Sequence, residues 1–100
     1  MFILLACGMG ASSGFLAQSM RKAAKSRGIE ATIKAVSDTQ IDDYLNDIDV
    51  LLIGPHLKHR FRDIESKAAP YQVKVVLVDE RSYAMLDGES VLNQILGSST

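Results

Sequence analysis

The only cysteine of the chain, Cys7, ends an apolar run and precedes a loop of small residues. Gly8 and Gly10 allow the backbone to turn and to approach a ligand closely, and Ser12 and Ser13 supply hydroxyl groups. A helix that begins after this loop directs free N–H groups and a partial positive charge toward it, which stabilises a bound anion. Such a loop can activate a thiolate as a nucleophile and hold a phosphoryl group placed on the sulfur.

The sequence around Cys7 favours holding a phosphoryl group over hydrolysing it. No aspartate or glutamate occurs between Met1 and Ile29, so no carboxylate close in sequence repels a phosphate. Protein tyrosine phosphatases place an arginine, which stabilises the transition-state charge, at the sixth position after their cysteine. Ser13 occupies that position here. A simpler interpretation also fits these residues: Cys7 is a small buried hydrophobic residue beside an ordinary turn.

The composition predicts one domain spanning residues 1–100. Hydrophobic residues make up 47% of the chain and the net charge is −1, so the charge balance favours neither nucleic acid nor an anionic membrane as a partner. A single cysteine excludes an internal disulfide and suits a reducing cytosol. The apolar run from Met1 to Cys7 is far shorter than the roughly 20 residues of a membrane-spanning helix, and it lacks the basic leader of a signal peptide. We therefore expect a soluble, cytoplasmic protein.

Four apolar segments are predicted to be strands: Phe2–Ala6, Ala31–Val36, Asp49–Gly54 and Val73–Val78. Three of them are almost continuously apolar, as expected of strands covered on both faces. The second alternates apolar and polar residues, which indicates an edge strand.

Four amphipathic segments follow the strands and are predicted to be helices. Their apolar stripes are Phe15, Leu16, Met20, Ala23 and Ala24, ending at Gly28; Ile41, Tyr44, Leu45 and Ile48, capped by Ser37 or Asp38; Leu57, Phe61, Ile64 and Ala68, ended by Pro70; and Val91, Leu92, Ile95 and Leu96.

This alternation predicts a small doubly wound α/β fold with four parallel strands in the order 2-1-3-4 and helices on both faces. Ligands of such folds bind beyond the carboxyl ends of the strands, where the winding direction switches. That point lies between the first and third strands, where the loops after Cys7 and Gly54 begin. The loop after Cys7 therefore lies where the fold places chemistry.

Three motifs are distributed along the chain, at residues 4–20, 49–61 and 78–92: LLACGMGASSGFLAQSM, DVLLIGPHLKHRF and VDERSYAMLDGESVL. They resemble those of enzyme IIB of the bacterial sugar phosphotransferase system, lactose/cellobiose (chitobiose) family, which has a low-molecular-weight phosphatase-like fold. The loop after the cysteine is closer to the lactose type. It departs from the commonest residues at Gly8, Met9 and Ala11, and His56 stands where glutamine is typical.

The resemblance implies a phosphotransferase that carries a phosphoryl group. Cys7 would accept this group from the phosphohistidine of a IIA protein. It would then pass the group to a sugar, such as the disaccharides lactose, cellobiose or chitobiose, bound by the membrane transporter IIC. The backbone of the loop would bind the phosphoryl oxygens, through Gly8, Met9, Gly10, Ala11, Ser12 and Ser13. No metal or organic cofactor is implied.

The same resemblance implies brief contacts with two successive partners, made by a monomer that associates transiently with the inner face of the membrane through IIC. An apolar rim around Cys7 is the candidate surface: Met9, Ala11, Phe15, Pro55, His56 and Leu57. Phe15 and Leu57 fit core positions equally well.

Two other classes of function stay open: a small cysteine phosphatase-like enzyme, and a non-catalytic anion-binding regulatory domain. Asp79, which follows the fourth strand, corresponds in place to a phosphatase general acid but is predicted to cap a turn. Asp87 and Gly88 are predicted to start a helix, and Tyr83 to pack inside. His59 is expected to be a partly exposed polar residue.

Overall fold

In the computed structural model the described residues are 1–7 and 11–97, with side chains described for 1–7 and 14–96. The elements are β1 (Phe2–Cys7), α1 (Ala11–Ser26), β2 (Thr32–Ser37), a 3₁₀ segment (Asp38–Asp43), β3 (Val50–Ile53), a 3₁₀ turn (Pro55–Arg60) that continues into α2 (Phe61–Ala68), a 3₁₀ turn (Ala69–Tyr71), β4 (Lys74–Leu77), α3 (Glu80–Ala84) and α4 (Gly88–Gly97).

The four strands form one parallel sheet in the order β2-β1-β3-β4, which confirms the predicted topology and places β2 at an edge. β1 is paired along its length with β2, from Phe2 opposite Thr32 to Cys7 opposite Ser37. On its other side, Ile3 to Ala6 pair with β3. β1 is therefore enclosed between two neighbouring strands, and its side chains are buried from Ile3 to Cys7.

The strand side chains alternate between two cores, one on each face of the sheet. The upper cluster contains Ile3, Leu5 and Cys7 of β1 and packs against α1 and α4. The lower cluster contains Leu4 and Ala6 and packs against α2 and the 3₁₀ segments. Helices thus cover both faces, as predicted.

Helix α1 presents its buried stripe to the upper cluster. Leu16, Ala17 and Met20 are fully buried there, and burial of a side chain such as Leu16 contributes roughly 1.5–3 kcal/mol. Phe15, which we expected in this stripe, is 61% exposed. The buried positions recur from Leu16 onward at helical spacing, so Phe15 lies beyond the edge of the face that the sheet covers.

The second predicted helix is replaced by the 3₁₀ segment and turns. Ile41, Leu45 and Ile48 are buried in the lower cluster, so the apolar spacing indicated burial correctly. The intervening residues are mostly aspartate and asparagine, whose side chains compete with the backbone for hydrogen bonds and disfavour an α-helix. Ser37 occupies the predicted cap position, and its N–H donates to the Gln40 side chain at 3.2 Å.

Helix α4 lies directly against α1 because residue 88 has no side chain. A Cβ at Gly88 would lie 2.4 Å from both the carbonyl carbon of Ser19 and the backbone nitrogen of Met20. The N–H of Gly88 donates to the Ser19 hydroxyl at 2.9 Å. This contact fixes the start of α4 on α1.

Candidate functional site

Cys7 ends the central strand at the carboxyl edge of the sheet. Helix α1 begins at Ala11, four residues later. On the neighbouring strand, the N–H of Gly54 donates to the carbonyl of Ala6 at 2.9 Å, so the chain after β3 leaves beside the cysteine. Since α1 covers the upper face while the 3₁₀ turn and α2 cover the lower face, Cys7 lies at the predicted switch in winding direction.

The Cys7 thiol is enclosed and contacts a tyrosine. Its side chain is 1% exposed, and its Sγ lies 3.2 Å from the hydroxyl oxygen of Tyr83, a hydrogen-bonding distance for sulfur. Tyr83 is itself buried, at 6% exposed. The two residues are 76 positions apart in the sequence, so the site is assembled from the two ends of the chain.

Tyr83 lies in the short helix α3, which begins at Glu80, three residues after the end of β4. Asp79 is the N-cap of this helix, as predicted, and accepts a hydrogen bond from the N–H of Ser82 at 2.9 Å. The backbone N–H of Ser82, followed by the Ser82 hydroxyl, holds the pKa of Asp79 below its ordinary value of 3.8. Asp79 is therefore an ionised cap at neutral pH, and its negative charge suits a helix N-terminus.

Gly54 packs closely against Cys7 and lies next to Tyr83. A Cβ at this position would lie 3.3 Å from the Cys7 Cβ, 3.4 Å from the Ala6 carbonyl oxygen and 3.6 Å from Cε2 of Tyr83. A side chain at residue 54 would therefore press mainly on Cys7 and would meet the Tyr83 ring at an ordinary contact distance. On the outer side, the His56 ring packs edge-on against Tyr83, with 5.3 Å between the ring centroids.

An open cleft of about 600 Å³ lies next to this cluster. Its lining residues come from the start of α1, the 3₁₀ turn, α3 and the turn that follows α3: Phe15, Pro55, His56, Glu80, Tyr83, Ala84 and Leu86. Three of the candidate rim residues therefore lie together, and the exposed Phe15 is among them. Leu57 does not belong to this rim, because it is 6% exposed and packs in the lower cluster.

The remaining predicted residues are located as follows. His59 is exposed, as expected, and Asp87 precedes α4, where it accepts hydrogen bonds from the N–H and hydroxyl of Ser90 at 3.1 and 2.8 Å. The loop residues that were assigned to phosphoryl binding or to the rim lie outside the residues whose side chains are described: Gly8, Met9, Gly10, Ala11, Ser12 and Ser13.

Sequence reasoning assigned Tyr83 only to packing and missed its contact with the thiol. The available signal was its place after β4, because a residue that follows a parallel strand lies at the same edge as Cys7. The geometry places a thiol sulfur beside a hydroxyl group and next to an open cleft. Residues 1–7 and 14–96 contain no group of three or more histidine, cysteine, aspartate or glutamate side chains placed to hold a metal ion. Among the helices described, none has the length and apolar character needed to cross a membrane.

Comparison with known proteins finds, along almost the whole chain, the family that the sequence motifs resemble. Residues 2–94 match the family model described as the lactose/cellobiose-specific IIB subunit of the phosphotransferase system. The chain is 34% identical over 94 residues to the oligo-β-mannoside-specific EIIB component of Bacillus subtilis, covering 94% of this chain and 91% of that protein.

Solved structures agree with this match. The fold is shared with the lactose-specific IIB domain of Streptococcus pneumoniae at a TM-score of 0.87 and 16% identity, over 97% of this chain and 95% of that one. The cellobiose-specific IIB protein of Borrelia burgdorferi is 32% identical with a TM-score of 0.78, over 97% of this chain and 89% of that one.

A further relative links this kind of domain to the transporter. The lactose-specific EIICB component of Lacticaseibacillus casei is 27% identical over 84 residues, which is 84% of this chain and 15% of that longer protein. IIB components thus work with a IIC membrane component. The family match over residues 2–94 and the full-length relatives show that this chain belongs to the lactose/cellobiose-specific IIB components of the sugar phosphotransferase system, which are phosphotransferases.

Proposed function

We propose that Cys7 of this IIB component accepts a phosphoryl group from the phosphohistidine of a IIA protein and passes it to a sugar bound by IIC. The observation that carries the assignment to Cys7 is its place at the carboxyl end of β1, with Sγ 3.2 Å from the Tyr83 hydroxyl. Cys7 is also the only thiol in the chain.

Two successive displacements at phosphorus account for the transfer. In the first, the Cys7 thiolate attacks the phosphorus of the donor phosphohistidine, whose other ring nitrogen carries a proton; an S–P bond forms, the N–P bond breaks, and neutral histidine leaves. In the second, a sugar hydroxyl attacks the same phosphorus, the S–P bond breaks, and the thiolate leaves. The hydroxyl proton goes to a base on the sugar-binding partner. A thiolate suits both steps because it is a good nucleophile and a good leaving group.

The phosphoryl oxygens are assigned to the loop between β1 and α1. Backbone N–H groups from Gly8 to Ser13, with the Ser12 and Ser13 hydroxyls, are the donors in this proposal. Support comes from the start of α1 at Ala11, since the first N–H groups of a helix have no partner within it and carry partial positive charge.

The state of Asp79 supports a carrier over a phosphatase. A general acid must hold a proton at the working pH, whereas hydrogen bonds from Ser82 lower the pKa of Asp79 and keep it ionised. Its carboxylate is also engaged as the cap of α3. With Ser13 in the position of the phosphatase arginine, the site lacks two groups that a hydrolase would use.

The cleft beside Tyr83 supports transient docking of both partners at this edge of the sheet. Phe15, Pro55 and His56 line it, and it is open to solvent. We place the protein on the cytoplasmic side of the membrane, as a monomer that meets the IIA donor and the IIC acceptor in turn. The sugar we expect is a disaccharide of the lactose, cellobiose or chitobiose kind.

The test is phosphorylation of the purified protein, followed by intact mass and site mapping. The protein is incubated with phosphoenolpyruvate, enzyme I, HPr and each of several IIA candidates, in parallel with Cys7→Ser. We expect one phosphoryl increment on Cys7, absent from the variant and discharged only when IIC and its sugar are added. Absence of the increment with every donor, or an increment that persists in Cys7→Ser, would overturn the proposal.

A further inference from the structure

We propose that Tyr83 donates its hydroxyl hydrogen to the Cys7 thiolate and thereby sets the fraction of Cys7 that is ready to attack. This inference rests on the proposed function, and it adds a second residue to the transfer site. The contact that carries it joins the Cys7 Sγ to the Tyr83 hydroxyl oxygen at 3.2 Å, with both side chains buried.

The direction of this hydrogen bond follows from the charge on sulfur. A protonated thiol and a tyrosine hydroxyl can each donate to the other. A thiolate has no hydrogen, so after ionisation only Tyr83 can be the donor. A hydrogen bond to a charged acceptor is about twice as strong as one between neutral groups, and burial increases the difference. The contact therefore favours the thiolate over the thiol.

Three neighbours keep the hydroxyl at this position. The Asp79 cap begins α3 and thereby places Tyr83 in its last turn. Gly54 packs beside both residues, since a Cβ there would lie 3.3 Å from the Cys7 Cβ and 3.6 Å from Cε2 of Tyr83. The His56 ring packs on the outer edge of Tyr83 at 5.3 Å. A tyrosine that served only to fill the core would not require its polar end to face the nucleophile.

The direct test is a pH titration of the thiolate by its ultraviolet absorbance in Tyr83→Phe. This measurement does not require a reagent to reach the buried sulfur. Each protein is measured against the same protein carrying Cys7→Ser, so that tyrosine ionisation cancels. We expect the pH of half-ionisation to move upward in Tyr83→Phe, which corresponds to a roughly tenfold smaller ionisation constant of the thiol.

Tyr71→Phe is the matched control, because it removes the same hydroxyl at the amino end of the sheet. Tyr71 lies just before β4 and is 45% exposed. The thiolate titration of Tyr71→Phe is expected to coincide with that of the unchanged protein. Tyr83→Leu, which removes the ring as well, distinguishes the hydroxyl from packing: a packing role alone predicts normal ionisation in Tyr83→Phe and a defect only in Tyr83→Leu. Thermal unfolding of each variant verifies that it is folded.

The rate of Cys7 phosphorylation, measured on the same variants, separates the two proposals. Failure of the unchanged protein to take up a phosphoryl group overturns the carrier assignment, whatever Tyr83 does. Normal uptake together with an unshifted titration and an unchanged rate in Tyr83→Phe overturns only the role of Tyr83. A shifted titration with a rate that falls at neutral pH and recovers at higher pH supports both.

Discussion

Two aspartates, eight residues apart, use the same local geometry at the starts of α3 and α4. Asp79 and Asp87 each precede a helix and accept a hydrogen bond from the N–H of the serine three residues later, at 2.9 and 3.1 Å. In both cases the serine holds the pKa of the aspartate below its ordinary value; for Asp87 the Ser90 hydroxyl contributes most. Local sequence alone does not distinguish the two.

The two caps differ in what the helix behind them contacts. Behind Asp79, α3 directs Tyr83 to the Cys7 sulfur. Behind Asp87, Gly88 lies against the backbone of α1 and fixes α4 in the upper core. One cap thus supports the contact with Cys7, and the other supports the packing of α4 on α1. The two caps have the same local geometry, so their different roles depend on what each following helix contacts. Variants can test this difference.

The largest effect is expected for Gly88→Ala. Its new Cβ would meet the backbone of Ser19 and Met20 at 2.4 Å, where no side-chain rotation can relieve the overlap. We expect a loss of about 2–4 kcal/mol in the free energy of unfolding, measured by urea denaturation. Gly14→Ala, whose Cβ would meet nothing within 4 Å inside α1, is the control and should leave stability equal or higher. Equal effects of the two substitutions would contradict the tight contact of α4 with α1.

In contrast, Gly54→Ala should reduce the rate of Cys7 phosphorylation more than it reduces stability. Its Cβ would press on the Cys7 Cβ at 3.3 Å, with the Tyr83 ring next to it. We expect a cost of about 1 kcal/mol or less in unfolding free energy, because the backbone at φ −65° accepts alanine. The rate of Cys7 phosphorylation should fall several-fold as the hydroxyl and the sulfur separate. A phosphorylation rate equal to that of the unchanged protein would show that this spacing is unimportant.

A smaller effect is expected when the two caps are removed singly. Asp79→Ala should lower the unfolding free energy by about 1 kcal/mol and raise the pH at which Cys7 ionises, because Tyr83 is less well held. Asp87→Ala should also destabilise the protein but leave the ionisation of Cys7 unchanged. Urea denaturation and the thiolate titration measure the two quantities. If both variants change the ionisation of Cys7 equally, the two caps do not differ in their effect on Cys7.

The smallest effect is on the pH dependence of stability. Because folding lowers the pKa of Asp79 from 3.8, its stabilisation is present above that value and is lost as the pH falls through the lowered folded pKa. The amide introduced by Asp79→Asn can still cap the helix but does not titrate. The difference in unfolding free energy between the two proteins should therefore be constant from about pH 5 to pH 7. In stronger acid the unchanged protein should lose stability relative to Asp79→Asn. A difference that is independent of pH down to acid unfolding would show that Asp79 gains no such stabilisation.

The fold was predictable because its determinants are local and periodic. Continuous apolar strands, an alternating edge strand and intervening amphipathic segments specify a parallel doubly wound sheet, and the order β2-β1-β3-β4 agrees. For the segment containing Ile41 and Leu45, the predicted burial was correct but the predicted α-helix was wrong. Apolar spacing indicates which side chains are buried, whereas the backbone hydrogen-bonding pattern also depends on the aspartates between them.

The place of Cys7 at a strand end and the cap at Asp79 could be predicted from the sequence, but the contact of Tyr83 with the thiol could not. Cys7 adjoins a glycine- and serine-rich loop at a strand end, and Asp79 follows a strand directly, so both signals lie in neighbouring residues. The contact of Tyr83 with Cys7 depends on how α3 turns back over the sheet, which brings together two residues 76 positions apart. Exposure of Phe15 and burial of Leu57 likewise depend on where each helix face meets the sheet.

The pairing of β1 on both sides has a consequence for amide hydrogen exchange. Its N–H groups are enclosed between β2 and β3, so they should exchange with solvent deuterium only when the whole domain unfolds. Helix α3 has five residues, and its amides should exchange through local opening. Cys7 would then be fixed to the slowest-exchanging strand, while the tyrosine beside it belongs to a segment that can open and reclose many times during the lifetime of the fold.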